Sequence, residues 1–74
     1  MDDQIRDEFK VHLLNEQGIE RARELALEFS RFLNKVEELC GASGREMAIV
    51  RTHVQTASFF AKRALAERPE NQKA

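Results

Sequence analysis

An all-α fold, an antiparallel hairpin of two long helices, follows from three features of the chain. Apolar residues recur at helical spacing from Ile19 to Leu39, they do so again from Met47 to Ala64, and only Gly41 and Ala42 separate the two expected helices. A connection that short joins helices only by folding them back on one another.

The second run is the more sharply defined. Ser43 followed by Glu46 has the form of a capping box, in which each side chain satisfies a backbone N–H at the helix start. The expected helix spans 43–68. Met47, Val50, Val54, Ala57, Ala61 and Ala64 then step by three and four, which predicts the seam against the first helix. A second row, Ile49, His53, Thr56 and Phe60, lies on a neighbouring face, so one hairpin mate leaves apolar surface uncovered. In the first helix, expected over 15–40 with Asn15 as N-cap, the matching seam is Ala22, Ala26, Phe29, Leu33, Val36 and Cys40. Gly18 is tolerable in its first turn, and Gly41 supplies a left-handed residue at its end.

Before the hairpin, residues 1–14 read as a short helical arm with Ile5, Phe9 and Leu13 on one face. After it, Pro69 stops the second helix and residues 69–74 read as a solvated, flexible tail. The whole of 1–74 forms one domain without repeats or linker.

Two helices of about 24 residues are rods near 36 Å long. Ordering 74 residues costs on the order of 100 kcal/mol, which a thin hairpin offsets poorly at about 25 cal/mol per Å² of apolar burial. Assembly of several copies into a helical oligomer is the expected remedy.

Composition narrows the function. Twelve basic residues stand against 13 acidic ones, so the chain lacks the cationic surface that holds polymeric nucleic acid, although a ligand with two or three phosphates remains compatible. Cys40 is the only cysteine, which excludes an internal disulfide and a zinc cluster and fits a reducing cytosol. No apolar run is long enough to span a membrane, and the acidic start is unlike a signal peptide. With two histidines, one cysteine and no glycine-rich phosphate loop, H-E-x-x-H or C-x-x-C, the sequence does not read as an enzyme, and it calls for no cofactor or metal. His53 reads as a satisfied or interfacial side chain, Cys40 as a small core residue, and Glu37 and Glu38 as a solvated face.

One polar stripe stands apart. Arg45, Ala48, Thr52, Gln55 and Phe59 step by three and four, and the seven-residue interval brings Arg45 and Thr52 to nearly one azimuth two turns apart. A guanidinium and a hydroxyl so placed could meet a phosphate if symmetry copies converged there.

The run S-G-R-E-M-A-I-V-R-T-H-V-Q-T-A-S-F-F-A-K-R-A-L-A-E-R resembles the phage anti-CBASS cyclic-oligonucleotide sponge family, whose hairpin is shared with the Thoeris anti-defence sponges. The family pattern is matched at Arg45, Glu46, Thr52, Ala57 and Ala61, with Glu38, Leu39 and Cys40 upstream, and the family's F-x-Y-H falls on Phe9, Lys10, Val11 and His12. The resemblance implies a homo-oligomer, a hexamer built as a trimer of dimers, in the cytoplasm of the infected bacterial host. It would bind cyclic trinucleotides and cyclic dinucleotides and hide them from immune effectors without cleaving them. A trinucleotide site on the three-fold axis would draw on Arg45, Ala48 and Thr52, three guanidiniums facing three phosphates. A dinucleotide site between protomers would draw on Phe9, Val11 and His12, with Arg23 or Arg21 as phosphate partner. Val11 stands where the family has tyrosine and removes a stacking surface and a hydroxyl, which favours the trinucleotide. The competing reading from the residues is a small helical adaptor that docks on a host protein.

Overall fold

The computed structural model describes residues 12–74. The predicted arm over 1–14, with Phe9 and Val11, falls almost wholly outside the described residues. Two helices, α1 (Glu16–Cys40) and α2 (Arg45–Glu67), pack as a hairpin, followed by a single 3-10 turn, Pro69–Asn71. An all-α hairpin is therefore what the sequence forms.

Asn15 begins α1 as expected: its backbone is extended and its side-chain oxygen accepts the Gly18 N–H at 2.7 Å. At the other end, the Gly41 N–H donates to the Glu37 carbonyl at 2.8 Å. Gly41 has the positive φ foreseen for it, yet its ψ of 153° places it outside the left-handed helical region, in backbone space open only to glycine. Gly44 repeats that conformation, with φ 109° and ψ 163°.

This second glycine overturns the capping box. Gly44, not Ser43, is the residue that precedes α2, and no side chain caps the helix. Ser43 sits one position too far out for its hydroxyl to reach the first turn in register. The turn is held instead by Arg51, which extends back from the second turn of α2. Its Nε donates to Glu37 Oε2 at 3.1 Å, and its terminal nitrogen donates to the Ala42 carbonyl. Glu37 is thus half-buried and paired, contrary to the solvated face expected of it, whereas Glu38 remains exposed beside Lys35.

The seam keeps four of the six expected positions in each helix and departs at the other two. In α2 it is Met47, Val50, Val54, Ser58, Ala61 and Leu65; Ala57 and Ala64 are exposed. In α1 it is Gly18, Ala22, Leu25, Phe29, Leu33 and Val36, while Ala26 and Cys40 are exposed. The longer Leu25 and Leu65 side chains cover the partner where alanine could not, so the mate selects the leucine edge of a wide apolar sector. Cys40 lies past the last seam contact and is not a core residue.

Residues 69–74 do not form the solvated tail expected. Arg68 is extended, as the residue before a proline must be. The chain then turns back against the start of α1. Leu14 and Gln72 form an antiparallel bridge, the Asn15 N–H donates to the Asn71 carbonyl and the Lys73 N–H to the Leu13 carbonyl, both at 2.9 Å. Asn71 is 1% exposed. Its amide nitrogen donates to the Leu65 carbonyl and its oxygen accepts from Arg21, each at 2.9 Å. A polar side chain buried with every demand met is a fixed point in the structure.

Met47 is the only buried apolar side chain among the described residues. The principal extents are 53 × 27 × 11 Å, so the chain is one helix thick. Its radius of gyration is 16.1 Å, against about 11 Å for a compact chain of this length. Accessible surface reaches 6244 Å², where a folded monomer of this mass exposes roughly 4700 Å².

Candidate functional site

The polar stripe of α2 lies on the side of that helix turned away from α1. With the seam centred on Met47, Val54 and Leu65, a step of roughly 100° per residue carries Arg45, Ala48 and Thr52 to the opposite side. All three are exposed. Thr52 donates its hydroxyl to the Ala48 carbonyl at 3.0 Å, and Thr56 does the same to Thr52 one turn later. The threonine oxygens keep lone pairs free to accept. Arg45 is the first residue of α2, where the unpaired N–H groups of the helix start add positive potential. The stripe residues lie among exposed apolar residues of the same helix, Ile49 and Phe60 at 42% and 56% exposed, which a neighbouring surface would have to cover.

A second surface forms at the open end of the hairpin. His12, Leu14, Phe59, Lys62, Ala66 and Glu67 line a groove of about 400 Å³. The clasped start of α1 supplies His12 and Leu14, and the last turns of α2 supply the rest. The Phe59 ring, more than half exposed, meets Phe60 edge-on at 5.3 Å. An aromatic face with an ammonium one helical turn away can stack a heterocycle and neutralise a phosphate. Phe59 and Lys62 also line the adjoining groove over Ala26, Ser30 and Gln55, so the aromatic surface continues along the hairpin.

Of the residues expected at a dinucleotide site, the structure places only His12 at this groove. Phe9 and Val11 are outside the described residues. Arg23 is exposed on α1 and does not join the groove. Arg21 lines a different groove with Arg68, Glu70 and Asn71. Its guanidinium holds the Asn71 oxygen and, with the Gln17 amide turned to face it, the Gln17 oxygen at 2.8 Å, so it serves the fold. Phe59 and Lys62 were not foreseen as groove residues. The signal lay in F-F-A-K, an aromatic with a cation three residues on.

Beside Arg21, Glu70 pairs with Arg68 at 2.9 Å. Its own backbone N–H holds the carboxyl below its ordinary range, and the Arg68 and Arg21 charges act in the same direction. Among the described residues no set of His, Cys, Asp or Glu side chains is grouped to hold a metal, and no helix is long and apolar enough to cross a membrane.

A thin hairpin with exposed cations and aromatic rings on its flanks defines a small all-α ligand-binding module. Residues 1–66 match the model of the Acb2/Tad1 hairpin domain, and the chain belongs to that family. It is a family of anti-defence sponges, binding proteins for cyclic oligonucleotide signals. No curated protein and no solved structure matches the chain.

Proposed function

We propose that this protein captures cyclic trinucleotides, and at its open end cyclic dinucleotides, as a phage countermeasure in the host cytoplasm, and that it holds them without cleaving them. The observation that carries this reading is the position of Arg45 and Thr52 on the outer side of α2, among apolar residues that only another protein surface can cover. Copies related by three-fold symmetry would bring three guanidiniums and three hydroxyls round one cyclic ligand, each phosphate held by a charge-assisted contact. A hexamer made of three hairpin pairs supplies that symmetry and covers the oily flanks.

The groove of His12, Phe59 and Lys62 is the second site in this reading. Phe59 offers the stacking face that Val11 lacks, and Lys62 the charge that the sequence assigned to Arg23.

Titration calorimetry against cyclic tri- and dinucleotides tests both sites. Arg45→Ala and Thr52→Ala are expected to abolish trinucleotide capture while the assembly keeps its mass. At a hundredfold excess over the dissociation constant the ligand should stabilise the protein by about 2.7 kcal/mol. Ligand recovered after heat denaturation should be intact. No thermal shift with any cyclic oligonucleotide would reject the proposal, and unchanged affinity in both variants would reject the stripe.

A further inference from the structure

Several of the hydrogen bonds that hold 69–74 bear on the few residues that lead the chain into α1. Asn15 is gripped twice over. Its backbone N–H donates to the Asn71 carbonyl, and its side-chain nitrogen donates to the Glu70 and Gln72 carbonyls, both at 3.0 Å. Lys73 reaches one residue further back, to the Leu13 carbonyl. On the α2 side, Asn71 and Gln72 donate to the Leu65 and Ala66 carbonyls, each at 2.9 Å. The clasp therefore ties both walls of the groove together: Leu14 on one side, Ala66 on the other, and His12 one residue beyond the Leu13 anchor. The clasp residues 70–73 that make these ties lie beyond residues 1–66, the part of the chain that matches the hairpin family.

A solvated hairpin end needs no such arrangement. An N-cap asparagine is satisfied by one bond to its own helix, which Asn15 already makes to Gly18. The extra partners fix where the backbone of 12–14 runs relative to Phe59 and Lys62.

We propose that Asn71 is a positioning residue for the open-end groove: its side chain, tied to Arg21 and the Leu65 carbonyl, seats its backbone carbonyl on Asn15 and so sets His12 opposite Phe59 and Lys62. This rests on the reading of that groove as a cyclic-dinucleotide site. Asn71 touches no ligand and acts only through the strand it holds. The trinucleotide stripe begins about 30 Å away along α2, at the turn end of the hairpin, and lies outside its influence.

The test compares Asn71→Ala with the unaltered protein in two measurements. Calorimetry should show cyclic-dinucleotide affinity falling at least tenfold while trinucleotide affinity and assembly mass stay the same. In proton spectra the ring resonances of His12 should move, and those of His53, the second histidine and on α2, should not. Lys73→Pro removes the N–H that reaches Leu13 without touching buried Asn71, and it should shift both readouts in the same direction, which covers the case in which Asn71→Ala fails to fold. Equal loss of both ligands, or an unmoved His12, overturns the proposal. If the unaltered protein captures no dinucleotide, the reading of the groove fails, and the His12 spectra still decide the positioning role.

Discussion

The carbonyl oxygen of Asn71 occupies the place where a side chain on Gly18 would start: a Cβ at Gly18 would sit 2.4 Å from it, with Leu14 side-chain atoms at 3.1 Å. The close approach of the clasp to the first turn of α1 depends on that missing methyl. Gly18→Ala should therefore destabilise the protein by about 1–3 kcal/mol, because a backbone carbonyl cannot step aside as a flexible side chain can. The usual gain of about 1 kcal/mol for alanine over glycine in a helix will not make up the loss. Urea unfolding of the two proteins, compared at one protein concentration, measures the difference.

Arg51 fastens the turn between the helices by donating to Glu37 and to the Ala42 carbonyl. Arg51→Ala removes an ion pair at a half-buried site and a hydrogen bond to the Ala42 carbonyl, and should cost about 1–2 kcal/mol. Glu37→Gln keeps a hydrogen-bonding partner and should cost less. Equal losses in the two variants would show that the ion pair, which both remove, and not the tie to Ala42 holds the turn.

Glu70 gives the clasp a pH dependence. Its carboxyl titrates below the ordinary value of 4.5, so the folded chain favours the ionised form. That contribution is fully present above about pH 4.5 and is lost as the pH falls through the lower, folded-state value. Thermal melts between about pH 6 and pH 3 should show a decline in the unaltered protein that Glu70→Gln lacks in part. Identical pH profiles would remove Glu70 from the account.

Ile49 and Phe60 test the assembly. Both are exposed on the outer side of α2, and burying one such side chain is worth about 1.5–3 kcal/mol. Phe60→Asp should lower the mass seen by light scattering toward that of one chain and, with it, trinucleotide capture, while the helical signal of the hairpin persists at high protein concentration. Full mass in this variant would place the interface elsewhere.

The hairpin was legible because two helical periods and a glycine turn are local signals. Which edge of each apolar sector faces the partner was not: Ala57 and Ser58, or Ala64 and Leu65, differ by one step on the wheel, and only the mate's shape decides between them. The clasp was illegible for another reason. Pro69, Glu70, Asn71 and Gln72 have the composition of a tail, and their value comes from partners 50 or more residues away in sequence, at Asn15 and Arg21. Arg21 accordingly read as a candidate phosphate ligand, since nothing near it in sequence shows that its guanidinium is already committed.

The 11 Å thickness of the chain has an evolutionary consequence. A plate with almost no interior keeps few positions hidden from its surroundings, so nearly every substitution alters a surface that neighbours, ligands or solvent must meet. In the function proposed above, ligand capture and self-recognition would share the same two helices, so a substitution that alters one would also meet the other.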